Sequence, residues 1–283
     1  MIVFVDLDQQ LAQRYGAYAS YRGEADAVLV DTYGDSPADE VDRLLDRLAG
    51  PGKTVLDLGC GAGFTLCRLA PRVEAIWGFD EEAELLAAAR QRVAAMGLTN
   101  ATLVLGNVAQ TGDVAQLPDN SFDLVFSRRG PNVNSELMKK LKPEAYVVQE
   151  LAQDSLGLKE IFGRQPFLPQ TGDNPHWLVY DYSWLGLFPV SIKEYYYEEF
   201  FRDADHLASY LSREYPLSDW TMPPMPYEEQ RDRAALELYV RYNRTARDIR
   251  LLSHRKVYLF RRAAMNYFPV EPEIKPLYNP VWD

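Results

Sequence analysis

The chain has 283 residues, 47% hydrophobic and 25% charged, enough apolar surface for one large α/β domain or one domain with a substantial insertion. Its 30 Lys and Arg against 41 Asp and Glu give a net charge of −11, which disfavours a nucleic-acid partner, because phosphate neutralisation supplies much of such affinity. No apolar run reaches the roughly 18 to 20 residues of a membrane helix, and the opening MIVFVDLDQQ lacks the basic start of a signal peptide. Cys60 and Cys67 stand in no metal-binding pattern. The expectation is a cytoplasmic protein with reduced thiols, no membrane partner and no metal.

Residues 1–50 read as an N-terminal helical segment and cap. They carry Tyr15, Tyr18 and Tyr21 at helical spacing, then ADEVDRLLDRLA with Val41, Leu44, Leu45 and Leu48 on one face. Pro51-Gly52 stops that helix. Residues 51–152 then alternate. Strands are predicted at Thr54–Leu58, Ala75–Phe79, Ala101–Leu105, Phe122–Ser127 and Ala145–Leu151, with helices at Phe64–Ala70, Ala83–Met96 and Ser135–Leu141. Strands separated by helices imply right-handed crossovers and a parallel sheet. Residues 153–218 are rich in aromatics and read as an insertion after the fifth strand, with one helix near Ala204–Leu211. Residues 219–283 are expected to complete the core. They hold a sixth strand at Asp219–Met222, a long helix at Tyr227–Leu252, a seventh strand at Lys256–Phe260 and a Pro-rich tail.

Glu228–Arg262 holds ten Lys or Arg against five Asp or Glu. It reads either as a solvated helix face with ion pairs such as Glu237 with Arg241 or as a patch for an acidic partner.

The chemistry concentrates in Val55–Phe64, VLDLGCGAGF. A buried strand runs into a turn with glycines at 59, 61 and 63, then into a helix. Glycines there let the backbone approach a ligand and take angles closed to other residues. The dinucleotide pattern G-x-G-x-x-G needs a small residue at position 64, where Phe64 stands. A pyrophosphate on the helix N-terminus is therefore not expected.

With its surroundings, this stretch resembles the first motif of the class I (Rossmann-like) S-adenosylmethionine-dependent methyltransferases, over roughly residues 40–152. The whole layout is similar to uncharacterised bacterial small-molecule methyltransferases. The resemblance implies a doubly wound α/β fold: a seven-stranded, mostly parallel sheet with one antiparallel strand near the C-terminal end. It implies S-adenosylmethionine as cofactor. Asp57 would hold the methionyl amino end, and the turn Gly59, Cys60, Gly61, Gly63 would pass beside the methionyl and ribose parts. Asp80, 17 residues after Gly63, would take the ribose hydroxyls, with Glu81 next to it. A carboxylate offers two oxygens to a vicinal diol, although Asp80 also reads as a helix cap. Asn107 and Val108 would border the adenine, and Ser127 and Arg128, in FDLVFSRRGP, the transferable methyl. One departure is LKPEAYVV, where the family commonly has a Pro-Gly-Gly turn before the fifth strand.

The acceptor leaves a fainter mark. By analogy with the family, Tyr15, Tyr18, Tyr21, Trp177, Tyr180 and Tyr182 are candidate acceptor contacts, and each reads equally as part of a small satellite core. A general base is needed only for an acceptor that must lose a proton. His176 is the candidate, and His206 and His254 read as structural. The function expected is in-line methyl transfer to a small-molecule acceptor. The alternatives are an RNA or protein methyltransferase using the 228–262 segment, or a non-catalytic S-adenosylmethionine-binding protein. No feature marks the oligomeric state.

Overall fold

The computed structural model describes residues 29–32, 36–155, 157–164, 177–213 and 225–264. Strand β1 is Leu29–Thr32 and helix α1 is Pro37–Leu48. A capping box starts α1: the Ser36 hydroxyl accepts from the Asp39 N–H at 3.0 Å, and the Asp39 carboxylate accepts from the Ser36 N–H. Val41, Leu44 and Leu45 face the interior.

The alternating core follows the predicted order with one short helix, α4, added: β2 (Thr54–Leu58), α2 (Phe64–Leu69), β3 (Ala75–Asp80), α3 (Ala83–Ala95), β4 (Ala101–Leu105), α4 (Thr111–Val114), β5 (Phe122–Arg128), α5 (Ser135–Met138) and β6 (Leu141–Ser155). β2 pairs in parallel with β3 and β5, β3 with β4, and β5 with β6. Both faces are covered, so the strands are apolar on both sides. One face packs against Val41, Leu66 and Leu86 of α1, α2 and α3, the other against Val114 and Leu137 of α4 and α5. Where the family's Pro-Gly-Gly turn is missing, Glu144 itself takes a left-handed conformation, φ 63°, beside a shift in the β5–β6 register.

After β6 come α6 (Leu158–Phe162), α7 (Trp177–Trp184), β7 (Leu187–Phe201), α8 (Ala204–Arg213), α9 (Glu229–Asn243), β8 (Arg244–Thr245) and β9 (Asp248–Arg262). The sheet runs β1-β7-β9-β6-β5-β2-β3-β4, with β8 paired to β9. β9 is antiparallel to both β6 and β7, so β7 points the same way as β2 to β6. The expected sheet with one reversed strand near the C-terminal end is therefore present, and β1 extends it at the edge, antiparallel to β7.

Three expectations need correction. The sixth strand is Leu187–Phe201, inside the stretch read as an insertion, while Asp219–Met222 lies outside the described residues. Its Pro189 sits at a register shift, and the run of three tyrosines and two glutamates hides any period-two alternation. The long helix predicted to Leu252 ends at Asn243, where a tight β8–β9 hairpin follows. β9 is correspondingly longer than Lys256–Phe260.

Two large apolar clusters lie on opposite faces of the core sheet. A third lies under α6, α8 and α9 and includes Leu158, Phe201, Leu207, Leu236, Tyr239 and Leu251. The buried Arg164–Asp232 ion pair, 2.8 Å, ties the end of α6 to α9. No helix of the described residues is long and apolar enough to cross a membrane.

Candidate functional site

The site lies at the carboxyl ends of the parallel strands, where α/β sheets place ligands. Gly59, Gly61 and Gly63 have φ of 78°, 52° and 79°, a left-handed backbone that favours glycine. The turn is tied to the end of β3: the N–H groups of Gly59 and Cys60 both donate to the Phe79 carbonyl, at 2.8 and 3.2 Å. Asp80 completes the attachment. Its Oδ2 accepts from the Gly61 N–H at 2.7 Å, and its Oδ1 from the Glu82 N–H at 2.9 Å. The N-cap of α3 is Glu82 and not Asp80 as the cap reading had it, while the Asp80 carboxylate bridges the glycine turn and the residue that precedes α3. Each of its oxygens keeps a lone pair for a further donor.

Asp57 stands one residue before the end of β2, on the α1 face, buried at 3% exposure. Burial pushes its carboxyl well above the usual range. Arg128 opposes this, the neighbouring Asp80 adds to it, and the Leu66 N–H opposes it again. Burial also raises Asp80. Two acids held partly against their charged form, on either side of a glycine turn, suit a ligand that brings positive charge and hydroxyl donors. S-adenosylmethionine meets that demand with its ammonium and ribose diol. Phe64, which excluded the dinucleotide pattern, lies under Arg92, whose guanidinium carbon is 3.8 Å from the ring centroid.

The residues expected on the adenine side form their own turn. The Asn107 side-chain amide donates to Glu81 and accepts from the Ala109 N–H at 2.7 Å. The Asn134 amide donates to the Val108 carbonyl at 2.8 Å, joining this loop to the one after β5. Cys60 and Cys67 are buried thiols not joined in a disulfide. No group of three or more His, Cys, Asp or Glu among the described residues is placed to hold a metal.

The loop after β5 is locked from below. The Ser127 hydroxyl donates to the Pro131 carbonyl at 2.9 Å. A Cβ on Gly130 would lie 2.7 Å from the Leu58 carbonyl oxygen, so only glycine lets the loop approach β2 this closely. The Tyr182 hydroxyl accepts from the Val133 N–H at 2.8 Å and bonds Gln149 Oε1 at 3.2 Å. Tyr182 is therefore a buried anchor of this loop, not the expected pocket wall. Arg128 is buried, 2.9 Å from Asp42 of α1 and 3.7 Å from Glu150 of β6.

Of the other acceptor candidates, Tyr180 is exposed and makes an edge contact with Trp184. Trp177 opens α7. Tyr15, Tyr18, Tyr21 and His176 lie outside the described residues. His206 packs edge-on against Phe201. His254 stacks on Tyr196 with centroids 4.3 Å apart, and its Nε2 is 3.6 Å from Glu194.

Sequence reasoning missed Asp42, Gln149, Glu150 and Arg255, whose partners lie far off in the chain. The basic 228–262 segment is largely neutralised. Arg233 pairs with Glu229, Glu237 and Asp205, while Arg250, Arg255, Lys256 and Arg261 each meet a glutamate of another strand or loop. Glu237 thus bonds Arg233, not Arg241 as expected.

Residues 49–155 match a family model described as a methyltransferase domain. A protein-L-isoaspartate O-methyltransferase from Saccharophagus degradans is 28% identical over 141 residues, covering 48% of this chain and 61% of that protein. The uncharacterized methyltransferase YcgJ of Bacillus subtilis is 29% identical over 96 residues, 34% of this chain and 36% of that one. The chain thus spans less than two thirds of the length of these relatives. A crystal structure of a functionally unknown protein from Deinococcus radiodurans R1 shares the fold, with a TM-score of 0.56 at 18% identity over 93% of this chain and all of that one. At residues 49–155 the chain is thus similar to methyltransferase domains, and it shares the fold of the Deinococcus protein.

Proposed function

We propose that the protein is an S-adenosylmethionine-dependent methyltransferase that moves the methyl group to a small-molecule acceptor in the cytoplasm. The observation that carries the cofactor reading is a pair of acids, buried Asp57 and half-buried Asp80, on either side of a left-handed glycine turn that Asp80 itself holds. Asp57 would hold the ammonium end, Gly59 to Gly63 the methionyl and ribose parts, Asp80 the diol, and Glu81, Asn107 and Val108 the adenine side. When bound, the cofactor supplies a methyl group on a positively charged sulfur. The chain's part is to align acceptor and methyl and to exclude water. Ser127, Gly130 and Tyr182 serve that end by fixing the loop after β5.

Two buried thiols free of any disulfide support a reducing compartment. The ion-paired basic segment supports a small acceptor over a nucleic acid. A protein acceptor is the second reading, favoured by the name of the Saccharophagus relative. Calorimetric titration with S-adenosylmethionine and S-adenosylhomocysteine tests the cofactor reading: both bind, and NADH and flavin do not. Release of S-adenosylhomocysteine with an isoaspartyl peptide, and with no small molecule, would replace the acceptor reading by the second one.

A further inference from the structure

Strands β6, β9 and β7 run on past the last pair of the parallel core, Arg128↔Glu150. β6 continues to Ser155, β9 pairs beside it to Ser253, and β7 follows β9 to the Phe201↔Ile249 pair. They raise a three-stranded wall above the carboxyl ends of β2 and β5. On the α1 face the wall changes character along its length. Val148, Val257 and Leu259 at its foot belong to the Rossmann core. Phe201, Ile249 and Leu251 at its top belong to the satellite core under α8 and α9. Between them lies a buried polar belt. Arg255 Nη1 bonds Glu150 Oε1 at 2.9 Å, Arg255 Nε donates to the Tyr197 hydroxyl, and the Ser253 hydroxyl donates to Glu199 at 2.8 Å.

Such a belt is costly to bury unless every group is paired. Glu150 is not fully paired. Its side chain is 3% exposed, yet Oε2 accepts no hydrogen bond, and Arg128 Nε stands 3.7 Å from it. Arg255 and Arg128 hold the Glu150 carboxyl below its ordinary range although burial opposes them, so it is a standing anion. The belt begins at Arg128, the cation that acts on Asp57. In the cofactor reading, that is the methionyl end.

The geometry points to this belt as the floor of the methyl-acceptor site, with Glu150 Oε2 receiving an N–H of a small amine. The inference rests on the cofactor reading above. It goes further in naming the substrate class and the residues that select it. The amine reacts neutral: its nitrogen lone pair forms the N–CH3 bond while the CH3–S pair stays on sulfur. The positive charge passes from sulfur to nitrogen, and the product ammonium then loses a proton to water. Glu150 orients the nitrogen through its N–H. Tyr197 and Arg255 act by positioning Glu150.

The test uses the full chain with S-adenosylmethionine and fixed probes: benzylamine, N-methylbenzylamine and tyramine against benzyl alcohol and phenylacetate. S-adenosylhomocysteine release is expected with the amines alone. Glu150→Gln should lower kcat/KM for them by about 10- to 100-fold, the loss of one charge-assisted hydrogen bond. Benzylamine binding to the S-adenosylhomocysteine-saturated protein, read by calorimetry, should weaken in parallel while S-adenosylhomocysteine affinity holds. Tyr197→Phe, which keeps the ring and removes only the hydroxyl, should raise KM with kcat little changed, and it carries the test if Glu150→Gln does not fold. Turnover of the alcohol or acid in place of the amines overturns the proposal. So does a cofactor-binding protein that turns over no probe, or equal loss of cofactor and amine affinity in Glu150→Gln. Failure of the wild type to bind cofactor would instead sink the reading on which the proposal stands.

Discussion

Asp80 Oδ2 accepts the Gly61 N–H at 2.7 Å, so the acid expected to grip the ligand also holds the turn that cradles it. Asp80→Ala removes both functions at once. Affinity for S-adenosylhomocysteine should fall roughly 10- to 100-fold, the worth of a hydrogen bond to a charged group. Asp80→Asn should fall between, since its one oxygen can still accept from Gly61. Calorimetry on both variants checks the order, and equal binding by all three proteins would remove Asp80 from the site.

Cofactor binding should release protons. Burial raises Asp57 above the ordinary carboxylate value, so the folded protein favours its neutral form. That contribution to stability is full below the unfolded pKa and is lost as pH rises through the folded value. A bound ammonium favours the carboxylate instead. Affinity should therefore rise with pH across the interval between the ordinary value and the raised one. Titrations in two buffers of different ionisation enthalpy measure the release, and Asp57→Asn should abolish it.

Tyr182→Phe should loosen the loop after β5 without disturbing the sheet. The hydroxyl is the partner of the buried Val133 N–H, and leaving that donor unpaired costs about 1 to 3 kcal/mol. Urea denaturation gives the loss. Hydrogen exchange should quicken at Val133 while amides of β5 and β6 keep their protection. An unchanged exchange rate at Val133 would mean that the loop is held from elsewhere.

Gly63→Ala should be destabilising on two counts. The residue sits at φ 79°, and a Cβ there would come within 3.0 Å of Ala89 Cβ and 3.3 Å of Ala89 Cα on α3. The left-handed backbone alone costs about 1 to 2 kcal/mol for a side chain, and the contact with the α3 backbone adds to it. A lower denaturation midpoint with weaker cofactor binding is expected. An unaltered midpoint would show that α3 yields to the new methyl group.

Much of the cofactor side was legible from local pattern alone. A buried strand, three glycines, a helix and an acid at the end of the next strand are all set by neighbours in sequence, and Val55–Phe64 and Asp80 fall where that reading put them. Chain order and periodicity were likewise enough for β2 to β5 and for α2 and α3, while the four residues of α4 are too few to show a helical period. The proposed acceptor side was not legible, because its partnerships span the chain. Asp42 meets Arg128 across 86 positions, Glu150 meets Arg255 across 105, and Tyr182 reaches back 49 residues to Val133. No local periodicity encodes such contacts. The Glu150–Arg255 contact exists because β9 inserts between β6 and β7, and that placement also turned a supposed aromatic insertion into the sixth strand of the sheet. Sequence by itself determined the glycine turn and its flanking acids, since backbone conformation and short spacings demand them. Only the tertiary structure decided which charges share one buried belt, because burial and pairing belong to the assembled sheet.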